Sequence, residues 1–200
     1  VELSYAEQRF DTLAAGAKLG LGKDFVIRQD VWGVKVRVAG DGVLDQDGWM
    51  PQIAVGLQHK KNDRNALVRA LGAKDSDGTD YYVSATKLFL DKSLLLNATG
   101  RFTKANQMGL LGFGGDRSSD YKLQTELSAA WLLRKDIAIG AEYRTKPDNL
   151  KFAKEDDWYD VFVAWAPTKN VSLTLAYANL GDIATFKKQQ GVYGSVQFGF

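Results

Sequence analysis

The stretch that decides the fold is VYGSVQFGF, residues Val192 to Phe200, at the C-terminal end of the chain. Val192, Gly194, Val196 and Phe198 share one side of this stretch, and most residues between them are small or polar. A period of two places successive side chains on opposite faces of an extended strand. The stretch therefore predicts a β-strand with one apolar face, ending on an aromatic residue.

The same period of two recurs along the chain and predicts ten strands. It is clearest at 171–178, where Val, Leu, Leu and Tyr alternate with Ser, Thr, Ala and Ala. The predicted strands span roughly residues 1–10, 25–39, 49–59, 79–90, 94–104, 121–133, 136–146, 157–166, 170–179 and 191–200. Two of the predicted strands are irregular. In strand 79–90 the alternation fits either assignment of the two faces, which places Lys87 on the polar or on the apolar side. In strand 25–39 the alternation changes phase near Asp30, which indicates a bulge.

The connections between these strands alternate in length. The links at 91–93, 134–135 and 167–169 are short and the link at 40–48 is moderate, whereas those near 11–24, 60–78, 105–120, 147–156 and 180–190 are long. Short turns at one end and long loops at the other are typical of bacterial outer-membrane barrels. The pattern predicts one domain, residues 1–200, folded as an all-β, antiparallel, up-and-down transmembrane β-barrel of about ten strands.

Aromatic residues sort by strand end. The rings Trp49, Phe89, Trp131, Trp165 and Phe200 lie near the short turns, and Phe102, Tyr121, Tyr143, Tyr159 and Tyr193 lie towards the long loops. Two such bands are typical of the two interfacial girdles of a membrane barrel. The alternative is the ordinary enrichment of aromatic residues in strands.

Composition bounds the class of protein. The chain has 200 residues, no cysteine and a net charge of +2, with 45% hydrophobic and 25% charged residues. The weak net charge argues against a nucleic-acid partner, and the absence of cysteine excludes a disulfide framework and thiolate metal sites. No run approaches 18 apolar residues, so a membrane helix is excluded, but barrel strands need only about ten residues of alternating character.

One segment departs from the β pattern. Residues Asp63 to Gly72 place Leu67, Val68 and Leu71 on one helical face, with Gly72 as a stop signal and Asn62 or Asp63 as a cap. We expect a short helix within the longest outer loop, lying at the membrane surface, over the mouth or inside the lumen.

The polar face of the strands gives the candidate site. In a membrane barrel that face points inward, whereas in a soluble lipocalin-like barrel it points outward. The membrane interpretation places eight charged side chains in the lumen: Lys35, Arg37, Arg101, Lys122, Glu126, Glu142, Arg144 and Asp160. Since positive and negative side chains both occur, these residues are expected to form ion pairs and to plug a narrow barrel. A narrow water-filled pore with a lean towards anions is the alternative.

No motif supports catalysis or a cofactor. His59 is the only histidine and has no local pattern of a triad or metal site. The acidic run Asp75 to Asp80 lacks the twelfth-position glutamate of a calcium loop and is interpreted as a turn. The Gly-rich segment Gly109 to Gly115 lacks the Gly-Lys-Ser/Thr of a phosphate loop, so a flexible or inward-folded loop is favoured. The run 154–157 is interpreted as a solvated acidic loop, with divalent bridging to lipopolysaccharide as the alternative.

Several segments together resemble one family: RQDVWGVKVRVAGD, WMPQIAVGLQHKKND, ATKLFLDKSLLLN, KANQMGLLGFGGD, GAEYRTKPDNL, EDDWYDVFVAWAP and LGDIATF. They are similar to an uncharacterised family of Gram-negative outer-membrane proteins, catalogued as a domain of unknown function. The resemblance implies an outer-membrane barrel and supplies no active residues. Family members carry further strand-like sequence before the segment that matches VELSYAEQRF, and an added N-terminal hairpin would make twelve strands.

The expected function follows from location. We expect a non-enzymatic structural, scaffold or partner-binding protein of the bacterial outer membrane, with a narrow porin-like channel for small polar or anionic solutes as the alternative. A lipid-acting membrane enzyme and a soluble ligand-binding barrel are weaker hypotheses. The expected partners are outer-membrane lipid, lipopolysaccharide, the barrel assembly machinery, which reads a C-terminal strand like 192–200, and an unidentified protein.

Overall fold

A computed structural model describes residues 1–12, 16–17, 20–42, 48–152, 154–183 and 186–199. Over these residues the chain forms one sheet of ten antiparallel strands, each paired with its neighbours in sequence. The strands are β1 (Glu2–Asp11), β2 (Val26–Ala39), β3 (Gln52–Asn62), β4 (Asp77–Phe89), β5 (Leu94–Thr103), β6 (Lys122–Arg134), β7 (Ile137–Arg144), β8 (Trp158–Thr168), β9 (Val171–Ile183) and β10 (Phe186–Phe198). The all-β, up-and-down prediction is confirmed.

The sheet is curled into a half-barrel. A single loop between β5 and β6 shows the curvature, because its residues contact both Gln29 on β2 and Glu155 just before β8. In the described part of the chain, no ladder joins β1 to β10, so the two edge strands are unpaired on their outer sides. Since all neighbours are antiparallel, β1 and β10 also run in opposite directions.

Strand ends differ from the sequence prediction at two hairpins. The predicted long loop at 180–190 is wrong, because β9 continues to Ile183 and β10 begins at Phe186. Asp182 stabilises this extension by accepting hydrogen bonds from Lys187 Nζ at 2.6 Å and from the Lys188 amide at 2.9 Å. At the other end, β3 begins at Gln52 and not at residue 49. Phe200, the predicted terminal aromatic, lies outside the described residues.

The short helix is confirmed as α1 (Asn65–Ala70), and of the predicted apolar face Val68 is buried while Leu67 and Leu71 are half-buried. Val68 is fully buried and packs with Ala73, Leu111 and Leu150. The predicted side-chain cap is wrong: Asn62 Oδ1 accepts a 2.7 Å bond from the Arg64 amide, which precedes the helix. In the described chain no helix is long and apolar enough to cross a membrane.

The buried regions of the molecule have two different characters. An apolar cluster, including Val68 and Leu150, lies among the loops at one end of the sheet. The inside of the curled sheet is polar: Asp80 and Lys60 are 0% and 3% exposed. Large apolar side chains on the outside of the sheet are exposed instead, among them Val161, Val163 and Leu175. The pattern is the reverse of a water-soluble sheet that buries its apolar face.

Candidate functional site: the polar face and its plug

The strand register sorts every side chain of the sheet to one of two faces, because directly opposite residues share a face. Glu142 lies opposite Asp160 and Ser128, while Ala141 lies opposite Val161 and Ala129. We call the first set the inner face and the second the outer face. The register places all eight predicted lumen residues on the inner face, at Lys35, Arg37, Arg101, Lys122, Glu126, Glu142, Arg144 and Asp160.

Only three of these eight residues meet in one cluster. Arg101 Nε donates to Glu126 Oε1 at 2.6 Å, and Arg144 lies 3.3 Å from the same carboxylate. Glu142 and Asp160 are neighbours across β7 and β8 without joining that cluster. The remaining three are dispersed: Lys35 lies opposite Gly56, Arg37 pairs with Asp41 at 3.1 Å near the short-turn end, and Lys122 lies opposite Thr103 near the long-loop end.

The cluster also contains two charged residues that the sequence did not indicate. Lys60 Nζ donates to Asp80 Oδ2 at 2.7 Å, Asp80 Oδ1 accepts from the Thr103 hydroxyl, and Arg101 lies 3.8 Å from Asp80. Lys60 lies one residue beyond the predicted strand 49–59. Asp80 was not assigned to the inner face, because the alternation in strand 79–90 fitted either face. A longer reading of the alternation Ala54, Gly56, Gln58, Lys60 would have found the lysine. We call Lys60, Asp80, Arg101, Thr103, Glu126 and Arg144 the central network.

Strand β4 follows the second of its two predicted phases. Tyr81 and Val83 point outward and Tyr82 and Ser84 inward, so Lys87 belongs to the outer face by register. Lys87 is nevertheless only 6% exposed. The inner face of β4 instead contributes Tyr82, whose ring lies 5.1 Å from the Arg101 guanidinium.

A folded loop, Lys104–Asp116, closes the long-loop side of the central network. We call it the plug segment. Gln107 and Met108 have φ of 44° and 60°, and Gly109 follows with φ of 102°. Left-handed backbone is costly for residues with a side chain, so tertiary contacts must hold this turn. The predicted inward-folded Gly-rich loop is therefore present.

Side-chain amides supply those contacts from both walls of the curled sheet. Gln29 Nε2 donates to the Met108 carbonyl at 3.3 Å, and Asn62 Nδ2 donates to the Leu110 carbonyl at 2.8 Å. Asn149 Nδ2 donates to Asn106 Oδ1 at 3.1 Å from the loop before β8. These three amides fix the plug segment against β2, β3 and the 145–157 loop.

An apolar anchor completes the plug. Phe113 is fully buried and lies over Gly78 on β4, where an added Cβ would come within 2.4 Å of its ring. Its amide donates to the Asp75 carbonyl at 2.8 Å, so the backbone at the start of the acidic run 75–80 helps to hold the plug segment. The plug segment, the α1 loop at 63–76 and the loop at 145–157 thus form one body, which we call the cap.

The cap leaves little open space above the central network. The cavity that Asp80, Arg101, Glu126 and Met108 enclose has a volume of about 10 Å³. That is about the space of one water molecule. On the short-turn side of the network lies a larger recess of about 200 Å³, lined by Asn97, Ser128, Glu142, Arg144 and Asp160. At this point the plug segment packs closely against the central network, and the recess lies on the short-turn side of the network.

Two charged loop residues of the cap are buried. Lys146 and Glu155 form a pair at 3.4 Å, with side chains only 2% and 0% exposed. Burial raises the pKa of Glu155 to about 7 and lowers the pKa of Lys146. The run 154–157 was expected to be a solvated loop, and for Glu155 that expectation is wrong.

Other sequence candidates lie outside this site. His59 is on the outer face, where its Nδ1 lies 3.0 Å from the Thr79 hydroxyl and its ring stacks on Trp32. In the described part of the chain, no group of three or more histidine, aspartate or glutamate residues is arranged to hold a metal ion.

The fold and its inner face define a class: an up-and-down antiparallel half-barrel with an apolar outside and a charged, capped inside. Within that class, the chain belongs to the family described as protein of unknown function (DUF3034), whose model matches residues 1–197. The prediction from sequence segments that the chain belongs to a family catalogued as a domain of unknown function is confirmed. No curated protein and no solved structure matches the chain significantly.

Proposed function

We propose that this protein is an outer-membrane β-barrel with a plugged lumen that acts as a structural, scaffold or partner-binding protein. The observation that carries the proposal is the filled inner face: the central network and the plug segment leave about 10 Å³ between them. A space of that size holds about one water molecule, which favours a plugged lumen over a continuous water-filled pore.

The outer face supports a membrane location. Val161, Val163, Leu175 and Trp131 are 55%, 48%, 61% and 57% exposed there. A soluble monomer rarely exposes a continuous apolar patch above a few hundred Å², whereas lipid tails would cover this surface favourably.

Aromatic rings border that surface at both ends. Trp131 and Trp165 lie on the outer face near short turns, and Phe102, Tyr143 and Tyr159 lie on it towards the long loops. Tyr193 does not belong to the band, because its partner Ala176 lies on the inner face opposite Phe162. Rings in two bands suit contact with lipid headgroups and, outside, lipopolysaccharide.

The proposal requires that the edges of β1 and β10 be paired, because unpaired strand edges do not occur in hydrocarbon. Since β1 and β10 are antiparallel, direct pairing closes the barrel with ten strands. An N-terminal hairpin would close it with twelve. In both cases the strand count is even, as in bacterial outer-membrane barrels assembled by their dedicated machinery.

A narrow channel is the second candidate, favoured by the recess of about 200 Å³ below the central network. The network holds three cations (Lys60, Arg101 and Arg144) and two carboxylates (Asp80 and Glu126), which leaves a positive excess. If the cap opened, small anions would pass that level more easily than cations.

Single-channel recording of purified protein in a planar bilayer tests the two candidates. The plugged scaffold predicts no stable open level for the wild-type protein. Replacement of residues 106–112 by a short glycine linker should produce one. A stable wild-type open level whose conductance changes with Arg101→Ala or Arg144→Ala would contradict the scaffold proposal and support the channel.

Location is tested separately by cell fractionation. The protein should sediment with outer membranes and require detergent for extraction. Recovery in the soluble periplasmic fraction without detergent would contradict the membrane proposal and favour a soluble ligand-binding barrel.

A further inference from the structure

The Lys146–Glu155 pair lies at the junction between the plug segment and the loop that precedes β8. Both side chains are almost completely inaccessible, at 2% and 0%. Gln107 of the plug segment donates from Nε2 to Glu155 Oε2. Glu155 therefore binds the left-handed turn of the plug at Gln107, in addition to the Asn149–Asn106 bond from the same loop.

The ion pair compensates poorly for this burial. The Lys146 Nζ to Glu155 Oε2 distance is 3.4 Å, longer than the roughly 2.7–2.9 Å of a strong charge-assisted hydrogen bond. Lys146 Nζ and Glu155 Oε1 have no hydrogen-bond partner within the described structure. A buried carboxylate with one unsatisfied oxygen is costly, and protonation removes that cost.

The other charged groups around the pair do not outweigh the effect of burial on the pKa of Glu155. Asp148 acts on Glu155 in the same direction as burial, while Lys146 and the Gln107 amide act against it. Asp156 and Asp157 act on Lys146, which also lies 5.0 Å above the Trp158 ring, and Arg144 lies 6.0 Å from that ring. Burial prevails, so the pKa of Glu155 rises to about 7.

We propose that Glu155 is a proton-operated latch, whose neutral form holds the plug segment in place and whose ionised form loosens it. The neutral carboxyl still accepts from Gln107 through its carbonyl oxygen, and no carboxylate charge then remains buried. When the plug leaves, water reaches the carboxyl and the ionised form becomes the favoured one.

The direction of the pH dependence follows from linkage. The closed cap binds a proton at pH values where the open cap has already released it, so closure is favoured at low pH. The stability of the closed state should fall as pH rises from about 4.5, the ordinary value, to about 7, and then level off. The latch operates whether or not the lumen conducts.

Amide hydrogen exchange of the full chain in detergent micelles tests this latch. Exchange of a plug peptide within residues 104–113 is followed by mass spectrometry at pH 5 and pH 8, and each rate is divided by the intrinsic rate at that pH. Protection should be at least about tenfold greater at pH 5, which corresponds to one unit of pKa difference between the two states.

Glu155→Gln should give plug protection that does not change between pH 5 and pH 8, because the amide remains neutral. Asp120→Asn, at an exposed carboxylate in the same β5–β6 connection but outside the cap, should retain the wild-type difference. Equal wild-type protection at both pH values, a reversed difference, or a difference that survives Glu155→Gln would overturn the proposal.

A second measurement uses only the wild-type protein and so does not require that a variant fold. Titration of the side-chain carboxyl signals of wild-type protein by ¹³C NMR should show one carboxyl with a midpoint near 7. Its chemical-shift change should be coupled to the amide signals of Gln107 and Met108. If the Glu155 carboxyl shows no midpoint near 7, the latch does not exist.

Discussion

Lys60 and Asp80 form a 2.7 Å ion pair whose side chains are only 4% and 1% exposed, on the inner face of a sheet whose outer face is apolar. They belong to adjacent strands but are not register partners: Lys60 lies opposite Gly78, and Asp80 lies opposite Gln58. The lysine therefore reaches diagonally along β4, from its register partner Gly78 to Asp80 two residues further on. This pair joins the sheet to the plug, because Asp80 also accepts from Thr103 immediately before the plug segment.

The first prediction concerns the carboxylate of this pair. Asp80→Asn leaves Lys60 and Arg101 without their shared anion, and breaking a buried pair in this way costs about 3–5 kcal/mol. Urea unfolding in lipid vesicles measures the loss. Asp136→Asn is the matched control, because its partner Arg134 is 68% exposed and surface pairs contribute about 0–1 kcal/mol. Equal losses in both variants would show that the network is not buried.

The second prediction separates the two faces of β8. Val163→Arg places a charge on the outer face, which costs about 2–4 kcal/mol near the middle of a bilayer. Ala164→Arg, one residue later, directs its charge to the inner face and should fold into vesicles with a smaller loss. If Val163→Arg is the better tolerated of the two, the outer face does not contact lipid.

The third prediction concerns the contact between β4 and the plug. Gly78→Ala would place a Cβ within 2.4 Å of the buried Phe113 ring, so the ring must move. Overpacking of this kind costs about 1–3 kcal/mol. Thermal unfolding followed by near-ultraviolet circular dichroism should show the lower stability. Gly191→Ala on β10 meets nothing within 4 Å and should change stability by less than about 0.5 kcal/mol.

The fourth prediction concerns the apolar centre of the cap. Leu150→Ala removes a fully buried side chain that packs with Val68, and such truncations cost about 2–5 kcal/mol. The loss should be local, because the apolar cluster around Leu150 consists of cap residues, Val68, Ala73 and Leu111. Limited proteolysis should cleave the cap faster while the strands stay protected. Phe152→Ala, at an exposed position of the same loop, should leave the cleavage rate unchanged.

The pattern of faces was predictable because it is local. Strand side chains alternate regardless of what surrounds them, so eight charged residues could be assigned to one face, and the register agrees for each of them. The tips of the hairpins were less predictable. The segment 180–190 has loop-like composition, yet β9 extends to Ile183 and β10 begins at Phe186, and Asp182 accepts hydrogen bonds from Lys187 and Lys188 there.

The contacts among those residues were not predictable. Glu155 stands in an acidic run that resembles a solvated turn, and only the return of the plug segment buries it. Likewise Asn106 and Asn149 are ordinary loop residues until their side chains meet at 3.1 Å. These partners are separated by about forty residues or more, and no local period encodes such a distance.

The sequence by itself determined the number of strands, their order and the character of each face, because periodicity and turn composition act over a few residues. The tertiary structure alone decided that Val192 to Phe198 pairs with β9 and with no second strand among the described residues, and that its Tyr193 faces inward. It also decided that the inner charges pair beneath a folded plug. Closure, burial and pairing depend on the curvature of the whole sheet, which is a property of all ten described strands together.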